Sequence, residues 1–336
     1  DDVVLVDIRP PSEHARGCIP GALNVTGIDL ARYAGALAAS GKTVVTHCAG
    51  RTRGIIAAAS LRLLGMPRVL TLENGTQGWM LAGRSLEESP DARPFLERTP
   101  IPEQVLQGLP EVPTVEVADV AAAGFDHLFD VRSPREYRHG HAAGATCAPG
   151  TQLIQATDEF VGVPTARLAV LDDGRDDPRG RLTGYWLHRM GYDVCVVTGG
   201  YAAWASAGLP VATGPGPLED GAGLALPHLP VASPAGNGSL LDVDSSTDYA
   251  RGHVAGSTWV SRDWLEADVA SVTAAGAPVT LACRHPGAIH ARLAAAALIA
   301  RGRQGLSVLP VDDSVALIPD HPVWARPPRD VRLAPH

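Results

Sequence analysis

The sequence predicts an α/β fold repeated in tandem, each module a mainly parallel sheet with helices on both faces. Three observations carry that expectation. Apolar, strand-like runs alternate with Ala- and Leu-rich helical stretches, the signature of a parallel sheet covered on two sides. A spaced set of acidic residues and glycines recurs three times. At about 100–200 residues per domain, 336 residues fill two or three compact units.

The elements follow in order. In the first module, strands are predicted over residues 3–6, 43–46 and 69–72, and helices over 30–39 and 52–64. The first strand ends in Asp7-Ile8-Arg9, and equivalent apolar runs end in Asp130-Val131-Arg132 and Asp242-Val243-Asp244. Six places after these aspartates stand Glu13, Glu136 and Asp248; ten places after, Gly17, Gly140 and Gly252; fourteen after, Gly21, Gly144 and Gly256. The aspartates lie 123 and 112 positions apart, which sets a module of about 110 residues. A closing block, Asn74-Gly75-Thr76-Gln77-Gly78-Trp79 with Gly83, recurs as Gly199-Gly200-Tyr201-Ala202-Ala203-Trp204 with Gly208. Both tryptophans read as core aromatics. The third module keeps a strand at 307–309 but loses the glycine pair. Proline- and acid-rich stretches at 87–113 and 211–223 read as linkers. The expected organisation is a first module at 1–88, a linker at 89–112, a second module at 113–213 and a third, drifted module at 222–330. The first lacks about a dozen leading residues present in the others, which predicts an N-terminal extension ahead of Asp1.

Composition narrows the function. With 45% hydrophobic and 19% charged residues the chain is too apolar for intrinsic disorder. A net charge of −8 repels phosphate backbones and anionic lipid, so neither nucleic acid nor a membrane is an expected partner. No apolar run approaches the roughly 18 residues of a spanning helix, and a cytoplasmic location is expected. Five cysteines at irregular spacing form no disulfide framework, and twelve histidines show no ligand spacing. Neither a metal nor another cofactor is therefore expected. Lys42 is the only lysine among 28 basic residues, a habit of composition more than of function.

At the carboxyl end of the strand that begins at Thr43 sits Cys48-Ala49-Gly50-Arg51-Thr52-Arg53, followed directly by a helical run. Ligands of open α/β sheets bind beyond strand carboxyl ends. A loop between strand end and helix start offers unpaired N–H groups and the positive end of the helix dipole, and both favour an anion. The thiolate is the nucleophilic form of cysteine, and helix N-termini and neighbouring arginines promote it. Gly50 lets the amides converge, while Arg51 and Arg53 present fork-shaped partners for a doubly charged substrate. The plain alternative is a small buried hydrophobe at a strand end. That suits Cys195, and it suits Cys48 poorly, because packing needs neither a glycine nor two arginines. Cys48 is the candidate nucleophile, and Ala49, Gly50, Arg51, Thr52 and Arg53 are the candidate substrate-binding residues.

This loop, the strand-end Asp-x-Arg block with its continuation Gly17-Cys18-Ile19-Pro20-Gly21-Ala22, and the closing glycine–tryptophan block resemble the rhodanese (thiosulfate sulfurtransferase) family. The likeness runs over nearly the whole chain, in the tandem multi-domain bacterial form. It implies rhodanese-like modules, each with a mainly parallel five-stranded sheet, and a double displacement. Cys48 would attack the outer sulfur of thiosulfate, become a persulfide and pass that sulfur to cyanide or a thiol. Four residues separate Cys48 from Arg53, one fewer than in the family's phosphatases, which disfavours phosphate and arsenate. The mercaptopyruvate branch carries Cys-Gly-Ser-Gly-Val-Thr here, from which Ala49 and Arg51 depart, so thiosulfate is the expected donor. Two other activities stay open. One is 3-mercaptopyruvate sulfurtransfer, and the other is a sulfur-carrier or redox-sensing module fed by a partner protein.

The other modules are internal controls. Alignment through Gly174-Arg175 puts Asp172 where Cys48 stands, and a carboxylate cannot carry a sulfane sulfur, so the second module is expected to be a silent scaffold. In the third, Cys283 ends a strand and is a possible second thiol. Counting back from the following helix nevertheless sets His285 opposite Cys48, in a loop two residues longer whose Pro286 removes an amide donor. Asp244 makes that module less friendly to anions. His47 reads as a core histidine. Cys18 stands where relatives have His, and reads as a packing residue or, if near Cys48, a resolving thiol. Arg9 either orients Glu13 or holds the loop.

Overall fold

Strands paired in parallel bring their carboxyl ends to one edge, so pairing and register decide which residues meet there. A computed structural model describes residues 2–88, 101, 105–106, 108–174, 176–215, 229–233, 238–284, 288–319 and 322–325. The chain divides into two compact units, residues 1–156 with 167–216, and residues 157–166 with 217–336.

The first unit holds two parallel sheets. One runs in the order Leu23–Asn24, Val3–Asp7, Thr43–His47, Val69–Thr71. The other runs Thr114–Val115, Asp193–Val197, Arg167–Leu171, His127–Asp130, Thr146–Cys147. The first sheet thus has four strands among the described residues where five were expected. The fifth strand of the second sheet, Thr114–Val115, precedes its first core strand by about a dozen residues. Central strands are buried almost end to end, as in Arg167–Leu171, where only the first residue is exposed. Such strands need cover on both faces, which explains their Val- and Leu-rich sequences.

Two stretches read as linkers are partly structural. Ile101, Leu106 and Leu109 are buried in the first module's core, and Val211–Ala212 pairs antiparallel with His141–Ala142. Trp204 is buried as expected. Trp79 is half-buried instead and donates from Nε1 to the Ser85 carbonyl at 2.9 Å, with Arg84 over its ring.

The second unit has a parallel sheet ordered Leu306–Pro310, Val279–Cys283, Ser239–Asp242, Thr258–Trp259, Val323–Trp324. Residues 157–166, inside the range assigned to the second module, pack in this unit. A Cβ on Gly162 would lie 2.6 Å from the Leu293 carbonyl oxygen, and Arg301 donates to Thr165 Oγ1 at 2.7 Å. No helix among the described residues is long and apolar enough to cross a membrane.

The repeated residues have one physical account. Arg9 donates to both Asp7 oxygens and to the Gly17 carbonyl at 2.6 Å, and Arg132 does the same with Asp130 and the Gly140 carbonyl. The expected pairing of Arg9 with Glu13, or with the loop, gives way to this local fork. In the third module Asp244 replaces the arginine, and Arg284 reaches in to hold Asp244 and the Gly252 carbonyl. Gly21, Gly144 and Gly256 have φ of 78°, 86° and 79°, the left-handed turn that a side chain would strain.

Candidate active site

Cys48 directly follows Thr43–His47 and is 3% exposed, and the helix Thr52–Leu63 starts four residues on. The Cys48 and Ala49 carbonyls accept from Thr76 N at 2.9 Å and Gln77 N at 3.0 Å, the first free amides of the helix Gly75–Leu81. Gly75 has φ 51°, and a Cβ there would lie 2.0 Å from the Cys48 carbonyl oxygen, so this position admits only glycine. The closing block therefore clamps the loop. With its carbonyls engaged, the N–H groups of residues 49–54 have no acceptor among the described residues. Together with the first turn of Thr52–Leu63 they form a ready anion seat.

The two arginines behave differently. Arg53 is largely buried and grips Glu13 through NH1 at 2.7 Å and NH2 at 3.0 Å. Burial works against its charge, but Glu13 and, after it, the Cys48 side chain raise Arg53 above its ordinary value. Arg53 therefore stands beside the sulfur as a fixed cation. Arg51 keeps its N–H in the fan, but its guanidinium is 67% exposed and donates to Asn74 Oδ1 at 3.0 Å. Thr52 is exposed at the helix start. Glu13 was visible only as a repeated acid six residues past a strand end. In the second module Ser133 caps its helix and engages Glu136, whereas Pro10 stands at that place in the first.

Behind the loop, Asp7 accepts from Arg9 and pairs with His14 Nδ1 at 2.9 Å. Burial pushes Asp7 up, yet Arg9, His47 and His14 outweigh it and hold its carboxyl below the usual range. Burial lowers His47, against the pull of Asp7, and its Nδ1 lies 3.4 Å from the Cys48 carbonyl, which fits a neutral core histidine. Cys18 is bridged to Glu87, with Cys18 N on the Glu87 carbonyl at 2.8 Å and Sγ at 3.4 Å. None of the five cysteines is in a disulfide. Among the described residues no cluster of three or more His, Cys, Asp or Glu could hold a metal.

Sheet register equates the three loops. Asp7 pairs with His47, Asp130 with Leu171 and Asp242 with Ala282, so Cys48, Asp172 and Cys283 occupy one position. This corrects the count that set His285 opposite Cys48. The helix Ile289–Ala300 starts six residues after Cys283, so the two extra residues fall after the cysteine. Positions 285–287, like Arg175, lie outside the described residues. In the second loop Asp172 Oδ1 accepts from Gly174 N at 3.1 Å and Oδ2 from Gly180 N at 2.9 Å. Asp177 takes the N–H groups of Asp173 and Arg179. Burial, with the charge of Asp177, pushes the Asp172 carboxyl well above its ordinary value. In the third, the N–H after Cys283, that of Arg284, donates to Asp244 Oδ2 at 2.9 Å, and Cys283 is fully buried.

The exchange of Arg for Asp244 has a measurable consequence. Burial first, then the charge of Asp244, raises Asp242 from 3.8 to about 7. The folded unit then keeps a proton that the unfolded chain has lost. Its stability is full below about pH 4 and falls by roughly 4 kcal/mol as pH rises to about 7. Hydrogen exchange at the amides of Val279–Cys283 should slow towards acid in this window, and Asp242→Asn should flatten the dependence. An unchanged slope in the variant would disprove the assignment.

A family model of the rhodanese-like domain matches residues 1–82 and 115–207. A curated protein named sulfurtransferase, from Allochromatium vinosum, is 37% identical over 83 residues, covering 25% of this chain and 77% of that protein. The crystal structure of a thiosulfate sulfurtransferase from Pseudomonas aeruginosa superposes with a TM-score of 0.55 at 28% identity. That match covers 97% of this chain, which spans 65% of the length of the solved one.

Proposed function

The chain belongs to the rhodanese-like domain family, and from that premise we propose that it is a sulfurtransferase with Cys48 as its working thiol, moving the outer sulfur of thiosulfate to cyanide or a thiol. One observation carries this reading. At three equivalent strand ends, the amides after Cys48 have no acceptor among the described residues and Arg53 stands beside its thiol, whereas Asp172 and Asp177 take amides of the second loop and Asp244 takes the amide that follows Cys283.

In the first step the Cys48 thiolate attacks the outer sulfur of thiosulfate, the S–S bond breaks, and sulfite leaves with the bonding pair. The persulfide's outer sulfur then carries negative charge that the N–H groups of Ala49, Gly50, Arg51, Thr52 and Arg53 can hold. Preorganised donors of this kind need no rearrangement as charge develops. In the second step cyanide carbon or a thiolate attacks the outer sulfur, and Cys48 departs as thiolate. Splitting the transfer in two lowers each barrier. On this reading the second module, its seat filled by Asp172, is non-catalytic, and Cys283 is a buried structural thiol.

The test is mass spectrometry on the full chain after thiosulfate treatment. The peptide bearing Cys48 should gain one sulfur atom, about 32 Da, and lose it to cyanide. No adduct on Cys48, or an adduct on Cys283 in its place, overturns the proposal.

A further inference from the structure

We propose, resting on the sulfur-transfer reading above, that a cavity between the first and second modules holds the apolar body of the sulfur acceptor, an uncharged organic thiol. Pro149 and Gln152 of the second module form its specificity wall. The cavity measures about 130 Å³ and is lined by Ile8, Pro11 and Ile28 from the first module and Val131, Pro134 and Pro149 from the second. An apolar cavity of about 150 Å³ accepts a benzene ring, which sets the scale of the ligand body.

The cavity lies where equivalent positions of the two modules meet. Ile8 and Val131 each follow the strand-end aspartate by one residue, Pro11 and Pro134 by four, Ile28 and Thr151 by twenty-one. The chemistry around it is not symmetric. On one side stands Arg53, which lines the cavity and neighbours the Cys48 side chain. On the other, the equivalent Arg179 is fully buried against Asp29, Glu136 and Asp177. A molecule in the cavity therefore lies against Arg53, the side chain that separates it from the reacting sulfur of the first module.

The polar groups deep in the lining are already matched. Arg53 is held by Glu13, while Asp29 is held by Arg179 at 2.7 Å and by Thr26 Oγ1 at 2.6 Å. Thr151 Oγ1 accepts from Ile28 N at 2.6 Å. A charged ligand would lose its hydration and meet no unpaired counter-charge, whereas an apolar body gains by leaving water. The side chain of Gln152 is exposed at the rim and has no hydrogen-bond partner among the described residues. The step itself is balanced. The acceptor thiol gives its proton to solvent, its sulfur bonds the outer sulfur of the Cys48 persulfide, and the old S–S pair returns to Cys48 as thiolate.

The experiment loads the full chain with thiosulfate and measures kcat/KM for benzenethiol, 2-mercaptoethanesulfonate and cyanide. Each rate is divided by that with a small free persulfide, to remove intrinsic reactivity. Benzenethiol should exceed the sulfonate by about tenfold or more. In Gln152→Trp, whose ring would cover the rim, the benzenethiol-to-cyanide ratio should fall by a similar factor. A persulfide that forms but shows neither effect overturns this inference and leaves the sulfur-transfer reading standing. Absence of the persulfide overturns both.

Discussion

Cys48→Ser is expected to reduce sulfur transfer by about a thousandfold or more, while Cys283→Ser should retain wild-type turnover. Both cysteines occupy the same register position, so a difference between them has to come from their surroundings. After Cys48 the next amide, that of Ala49, has no acceptor among the described residues, and neither do the following five. After Cys283 the next amide is spent on the Asp244 carboxylate, and Arg284 is committed to that same carboxylate and to two backbone carbonyls. A negative persulfide at Cys283 would face Asp244 where one at Cys48 faces Arg53. The serine hydroxyl is a poor substitute for two reasons: it ionises far less readily than a thiol, and it cannot form the S–S bond the transfer requires. Steady-state thiosulfate:cyanide turnover decides the matter. Activity that survives Cys48→Ser and disappears in Cys283→Ser would move the site to the second unit.

The three repeats were legible in the sequence because their repeated residues are backbone-bound. A strand-end aspartate, an arginine two places on and a glycine ten places on form one hydrogen-bonded unit, and fixed offsets survive when all partners lie within ten residues. What stayed hidden were partners distant in sequence. Glu13 meets Arg53 across 40 positions and Asp29 meets Arg179 across 150, and nothing in local spacing announces either. Arg284 restores in the third module the fork that Asp244 removed, but it does so from the far side of the next strand. Loop counting failed at His285 for a related reason: it assumed that the extra residues precede the equivalent of Cys48, and only the pairing of Asp242 with Ala282 fixes them after it. The loop of Cys48 itself was readable because glycine, arginines and a helix start cluster within six residues.

Arg179→Ala should destabilise the first unit by about 3–5 kcal/mol, since it strands three partly buried carboxylates without their shared, fully buried cation. Arg179 is fully buried, with NH1 on Asp29 at 2.7 Å and Glu136 at 2.8 Å, and NH2 on Asp177 at 2.7 Å and Glu136 at 3.0 Å. Asp29 comes from the first module and Arg32 joins Glu136 at 2.6 Å, so the cluster ties the two modules of this unit together. Arg179→Lys keeps the charge but loses the planar fork, and it should fall between wild type and alanine. The pH dependence has a definite sign. Burial raises Glu136, but the Arg179 fork and Ser133 outweigh it and hold its carboxyl far below the usual glutamate value of 4.5. That contribution is present in full above pH 4.5 and is lost as pH falls towards the folded value, so acid should destabilise the wild type more steeply than the alanine variant. Urea unfolding at pH 7 and pH 3, followed by Trp186 and Trp204 fluorescence, would read both effects. A loss below about 1 kcal/mol, as for an exposed pair, would mean the network only breaks even against its desolvation.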